Sequence, residues 1–128
     1  MSIEDLEAWQ IGMNLVDATY GLTSSFPGDE RYVLVSQMRR AAISIPSNLA
    51  EGHARHSRRD YARFVSHAQG SAAELWTQLR IARRRGYVAD AGALTELLDH
   101  VSRKTNNLRR SLLTRPRIPN PESRIPND

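Results

Sequence analysis

The chain has no cysteine. That excludes a disulfide framework, thiolate zinc sites, iron–sulfur ligation and a thiol nucleophile. It also lacks any run approaching the roughly eighteen apolar residues of a membrane span. The first ten residues, MSIEDLEAWQ, are acidic and carry no apolar core, so no secretory signal is expected and the cytoplasm is the expected location. No alternating strand pattern occurs. There is no Gly-rich phosphate loop, no GxSxG and no HExxH, so no catalytic residue is assigned, no cofactor is expected and the protein is read as a non-enzyme. With 128 residues, one domain with a core of its own is the natural size.

What is present is arginine, unevenly placed. Seventeen of the eighteen basic residues are arginine, and the net charge is +4. Residues 1–30 hold six acids and no base, whereas residues 31–115 hold sixteen bases and six acids. A compositional preference for arginine explains the choice of side chain but not this segregation of sign. A basic body implies an anionic partner, nucleic acid first among them.

Four amphipathic helices are expected, at about 5–25, 30–51, 58–86 and 89–113. Leu6, Trp9, Met13, Val16 and Tyr20 recur at spacings of 3, 4, 3 and 4, one face of a first helix, with Ser2 or Asp5 as its cap. Phe26-Pro27-Gly28-Asp29 makes a turn. Leu34, Met38, Ala41, Ala42, Ile45 and Leu49 continue through Pro46, which predicts a kinked second helix with Ser44 and Ser47 hydrogen-bonding the freed backbone. Gly52 reads as its C-terminal stop. Ser57 and Asp60 resemble a capping box. Tyr61, Phe64, Val65, Ala68, Ala72, Leu75, Leu79 and Ala82 then form the longest stripe, ended by Gly86. Leu94, Leu98, Val101, Thr105, Leu108 and Leu112 form a fourth. Short connections predict an all-α, antiparallel, up-down-up-down four-helix bundle. Residues 114–128 contain Pro116, Pro119, Pro121 and Pro126 and read as a flexible tail.

Three sets of residues are candidates for function. Arg55, Arg58, Arg59 and Arg63 crowd the start of the third helix, with Arg39 on the preceding one. Together they suit a phosphate backbone and are the expected nucleic-acid contacts. The alternative is a solvated helix end, although cations there oppose the helix dipole. Tyr61 is the one aromatic in this cluster and its spacing puts it in the core, so base stacking is not expected there. Second, Arg40, Ser44, Ser47 and Glu51 fall within about 60° around the second helix, with Asn48 at their edge. They read as a structural or interface line in which Arg40 pairs with Glu51 or with Glu74 of the third helix. Third, Ile43 and Trp76 lie outside the core stripes and are candidate subunit contacts. Gly70, mid-helix, is read as a point of close packing. His53 and His56 sit in a turn without a third ligand, so no metal site is expected.

The segment SQMRRAAISIPSNLAEGHARHSRRDYARFVSHAQGSAAELWTQL, residues 36–79, carries a family likeness. Gln37, Arg40, Ala41, Ala42, Ser44, Ile45, Pro46, Asn48, Ala50, Glu51 and Gly52, then Gly70, Ser71, Glu74, Leu75, Gln78 and Leu79, make up its main blocks. Asp5, Leu6 and Trp9, with Phe26 and Pro27, add to them. Over about residues 5–113 the chain resembles the four helix bundle protein family, also known as the intervening-sequence proteins after reading frames inside bacterial 23S rRNA genes. The resemblance implies a bacterial four-helix bundle assembled as a ring-like homopentamer. A related group, the accessory protein of diversity-generating retroelements, binds nucleic acid and a reverse transcriptase through its basic surface. Trp76, where members more often carry a polar residue, and the Pro-rich tail depart from the pattern. Fold follows from this resemblance and function does not. Two functions are therefore carried forward: an oligomer that binds RNA or DNA through its basic surface, and a protein-interaction scaffold or accessory subunit without direct nucleic-acid affinity.

Overall fold

A computed structural model describes residues 1–114. The expected tail lies almost wholly outside the described residues. Four helices account for the fold: α1 (Glu7–Thr23), α2 (Ser36–His53), α3 (Arg58–Arg84) and α4 (Gly92–Leu113). No strand occurs among the described residues, and no helix among them is long and apolar enough to cross a membrane. Each helix packs on two others in the cyclic order α1, α2, α3, α4, and α2 against α3 is the most extensive pairing. One core threads all four; Leu15, Met38, Ile45, Leu49, Val65, Leu75, Leu79 and Val101 are its largest fully buried apolar side chains.

The stripes expected for α2, α3 and the first half of α4 are buried, except that Tyr61, expected in the core, is half-buried at its edge. The face of α1 is not the expected one. Met13 and Tyr20 are about two-fifths exposed, and the buried line is Ala8, Ile11, Gly12, Leu15, Thr19 and Thr23. Thr19 and Thr23 enter the core because their hydroxyls are satisfied locally: Thr19 donates to the Leu15 carbonyl at 2.7 Å and Thr23 to the Thr19 carbonyl at 2.8 Å. A helical threonine can thus be buried without an orphaned donor. The bulky residues Trp9 and Val16 flank this line, half-buried.

Gly12 also explains Pro46. A Cβ at Gly12 would lie 3.4 Å from both Cβ and Cδ of the proline ring, so the ring packs onto bare α1 backbone and α2 runs on through it. The neighbouring hydroxyls do something other than expected. Ser44 Oγ is 2.7 Å from Ser71 Oγ of α3, and Asn48 donates to the Ser44 carbonyl and hydroxyl at 2.8 and 2.9 Å.

The termini and turns follow local rules. Ser2 and Asp5 form a reciprocal capping box, but around a short 3₁₀ turn at Ile3–Asp5, leaving Leu6 at the start of α1 without a side-chain cap. Ser57 caps α3 through the Asp60 amide. Gly86, at φ +80°, ends α3, while the Tyr87 amide reaches back to the Ala82 carbonyl at 3.0 Å. That left-handed position is where glycine costs least. Tyr87 then stacks obliquely on Phe26 at 5.4 Å and donates to Glu30 at 2.7 Å, pinning the α3–α4 connection to the α1–α2 connection. Further cross-helix contacts join Arg39 to Thr23 (3.0 Å), Glu7 to Lys104 (3.0 Å), and Arg58 to the Ser111 carbonyl (2.7 Å).

Candidate nucleic-acid interface

The arginine cluster is built by a close approach of two helices. Gly52 is buried inside α2 rather than ending it in a left-handed turn. A Cβ there would meet Phe64 Cβ at 2.8 Å and Tyr61 Cδ1 at 2.9 Å. With no side chain at 52, the first turns of α3 close onto the end of α2, and residues 54–57 suffice to join them. The close approach brings Phe64 beneath the arginines. Its ring, 6% exposed, lies 4.5 Å from the Arg55 guanidinium and 4.6 Å from that of Arg63. Both cations thus rest on a buried aromatic.

Asp60 orders the same two side chains. Its Oδ1 accepts from Arg63 Nε at 3.0 Å and Nη2 at 2.8 Å, and its Oδ2 lies 3.7 Å from Arg55 Nε. A carboxylate in the first turn of α3 favours the helix dipole and offsets the unfavourable placement of cations there. Glu51 adds a looser pair with Arg55 at 3.7 Å. These ion pairs are substantially exposed and worth little in stability; their consequence is orientation. Arg59 makes no ion pair or hydrogen bond among the described residues. Arg55, His56, Ser57, Arg59, Asp60 and Arg63 line a cleft of about 590 Å3. Three arginines face one lining carboxylate, so the cleft remains positive.

The other expected members separate. Arg58 turns away and donates to the Ser111 carbonyl near the end of α4, a capping contact. Arg39 sits near the start of α2, about 21 Å at 1.5 Å per residue from the end of the helix at His53. There it donates to Thr23 Oγ1 and stacks on Tyr20 at 4.4 Å. Arg40 makes no ion pair among the described residues, since Glu51 turns to Arg55, and Glu74 is exposed and also unpaired. The expected Arg40–Glu51 or Arg40–Glu74 bridge is absent among the described residues, and Ser44 instead bonds Ser71 and Asn48. Gly70 has nothing within 4 Å of a built Cβ, so no helix of this chain requires it. Trp76 is 44% exposed, with the Arg80 guanidinium 4.6 Å over its ring, at a groove edged by Ala72, Ala73 and Leu98. Ile43 lies instead in a groove near the start of α2 with Tyr20 and Tyr32.

His53 and His67 pack edge-on against Tyr61 and Phe64, and burial pushes the Tyr61 phenol above its usual range. Sequence reasoning missed Asp60 as an arginine partner, although its spacing of three from Arg63 was a usable signal. The role of Phe64 as a cation platform had none.

The comparisons agree with this fold. Residues 4–107 match the family described as 23S rRNA-intervening sequence protein. A crystal structure of a protein with unknown function from the S23 ribosomal protein family of Bacteroides thetaiotaomicron superposes with a TM-score of 0.55 and 19% identity. The match covers 88% of this chain and 95% of that one. At that identity the likeness concerns fold alone. No curated protein matches the chain. With four helices around one core, and a family match over most of its length, the chain belongs to the 23S rRNA-intervening sequence protein family.

Proposed function

We propose that the protein is a non-enzymatic, cytoplasmic, up-down-up-down four-helix bundle that assembles as a homopentamer and binds the phosphate backbone of RNA or DNA. The contacts of Arg39 with Thr23 and of Arg58 with Ser111 join the end of one helix to the start of its neighbour, which supports the antiparallel course. Exposed Trp76, at a groove edged by Ala72, Ala73 and Leu98, supports a subunit contact. The observation that carries nucleic-acid binding is the cleft at the start of α3. Arg55 and Arg63 are held in fixed poses by Asp60 and Phe64, and Arg59 between them is uncommitted. Pre-set guanidiniums lose little freedom on meeting an anion.

The test is fluorescence anisotropy with a labelled 20-nucleotide RNA at about 50 mM salt, where backbone contacts are strongest. Reversal of Arg55, Arg59 and Arg63 to Glu is expected to abolish binding with helicity and assembly mass intact. Undiminished binding by that variant removes the cleft from the account. A scaffold role is the second reading. It draws support from Asp60 and Glu51, which temper the charge of the cleft. A partner that stays bound to the protein after complete nuclease digestion favours it.

A further inference from the structure

The opposite end of α2 carries a groove that the arginine cluster does not explain. It has a volume of about 430 Å3, and Tyr20, Arg31, Tyr32, Arg39, Arg40 and Ile43 are its chemically distinctive walls. No carboxylate lines it, in contrast to the cleft around Asp60. Arg39 is fixed by Thr23 and by the Tyr20 ring. Arg31 and Arg40 make no ion pair or hydrogen bond among the described residues, so two uncommitted guanidiniums line the same groove as the tyrosines.

The apolar part is equally unspent. Tyr32 is 85% exposed, Tyr20 and Ile43 are each 42% exposed, and Val33 beside Tyr32 is 54% exposed. Their exposure has a local cause. Residues Arg31–Val35 form a single π turn ahead of α2. Its wider winding shifts the register by which side chains reach the core. Leu34 and Val35 go inward, and Tyr32 and Val33 stay in solvent. Such turns occur disproportionately at functional sites. An aromatic ring left this open is available on its faces as well as its edge.

We infer that this groove holds an unpaired base of a single-stranded nucleic acid, stacked on Tyr32, with Arg31 and Arg40 on the flanking phosphates. Open aromatic rings beside arginines that face no acid are the combination that single-strand binders use. A purely electrostatic site would have no use for the tyrosines, and an apolar partner none for the arginines. The inference rests on the reading of the chain as a nucleic-acid binder, but it uses different residues and asks for a different form of the strand. Duplex bases are not available to stack, so the groove discriminates where the Arg55–Arg63 cleft does not.

The experiment compares three labelled 20-mers in anisotropy titrations: oligo-dT, the same backbone with abasic sites, and a duplex. Tyr32→Ala is expected to weaken oligo-dT binding about tenfold, towards the lower part of the range for one stacked base. It should leave the abasic strand and the duplex unchanged. Tyr32→Phe, which keeps the ring, is expected to bind as the parent does. Because Tyr32 is almost wholly exposed, both variants are expected to match the parent's helicity, checked by circular dichroism. Equal affinity of Tyr32→Ala and parent for oligo-dT overturns the inference, as does an equal loss on the abasic strand. If binding survives Tyr32→Ala but fails on reversal of the Arg55–Arg63 cleft, the inference falls alone. If the pattern is the converse, the cleft reading falls and the groove stands. A parent that binds none of the three probes removes both.

Discussion

Two glycines eighteen residues apart receive opposite predictions from the same substitution. At Gly52 a methyl group would lie 2.8 Å from Phe64 Cβ and 3.1 Å from the Tyr61 carbonyl oxygen. Neither is the free end of a flexible side chain, so α2 and α3 must move apart. Forcing a methyl into a packed contact costs roughly 1–3 kcal/mol, and the helix propensity gained over glycine returns about 1 kcal/mol. The backbone contact places the cost towards the upper end, so Gly52→Ala is expected to lose about 1–2 kcal/mol. At Gly70 a methyl has nothing within 4 Å, and Gly70→Ala is expected to gain about 1 kcal/mol from propensity alone. Urea unfolding followed at 222 nm, at one fixed protein concentration because assembly couples to stability, reads both. With a slope of roughly 1–3 kcal/mol per molar urea, the midpoint falls for the first variant and rises for the second, each by about 0.5 M. A Gly52→Ala protein as stable as its parent would refute the close-approach argument. Loss of the assembled mass in Gly70→Ala, with the single chain stabilised, would place another copy against that glycine.

Gln78 is 5% exposed and its side-chain carbonyl has no hydrogen-bond partner, so Gln78→Met is expected to stabilise by about 1–2 kcal/mol, measured by the same unfolding. The Tyr61 phenol is raised above its ordinary value by burial. Its contribution to stability is therefore intact below the ordinary phenol range near 10 and is lost as pH climbs through the raised value. Absorbance at 295 nm should show a late phase of tyrosine ionisation, and Tyr61→Phe should remove it. An unchanged late phase in Tyr61→Phe would assign it elsewhere.

Three helices were legible because their large apolar residues and their buried faces coincide. In α1 they do not. The eye follows Trp9, Met13 and Tyr20, whereas burial follows the smaller Ala8, Gly12, Thr19 and Thr23, whose fit depends on Pro46 and on hydroxyls satisfied one turn back. The helix through Pro46 was readable from the stripe that continues to Leu49, but not the Gly12 contact that accommodates the ring. At the site, the crowding of Arg55, Arg59 and Arg63 was visible as a run of charge. That Arg55 and Arg63 share Asp60 and Phe64 required knowing that Gly52 lets α2 and α3 close. The separation of Arg39 and Arg58 from them follows from where the helices end, which a list of basic residues does not contain. The groove with Tyr20 and Tyr32 was hidden for a related reason. The spacing of Tyr20 places it in a core stripe, and the π turn that exposes Tyr32 leaves no mark in the pattern.

If arginines held outside the four-helix core engage phosphates as proposed, binding to a single-stranded 20-mer depends on salt. Three engaged guanidiniums predict that the logarithm of the association constant falls against the logarithm of salt with a slope of about −2 or steeper, which is a loss of more than roughly tenfold between about 50 and 200 mM. A slope near zero, or no binding at the low-salt end, would contradict it.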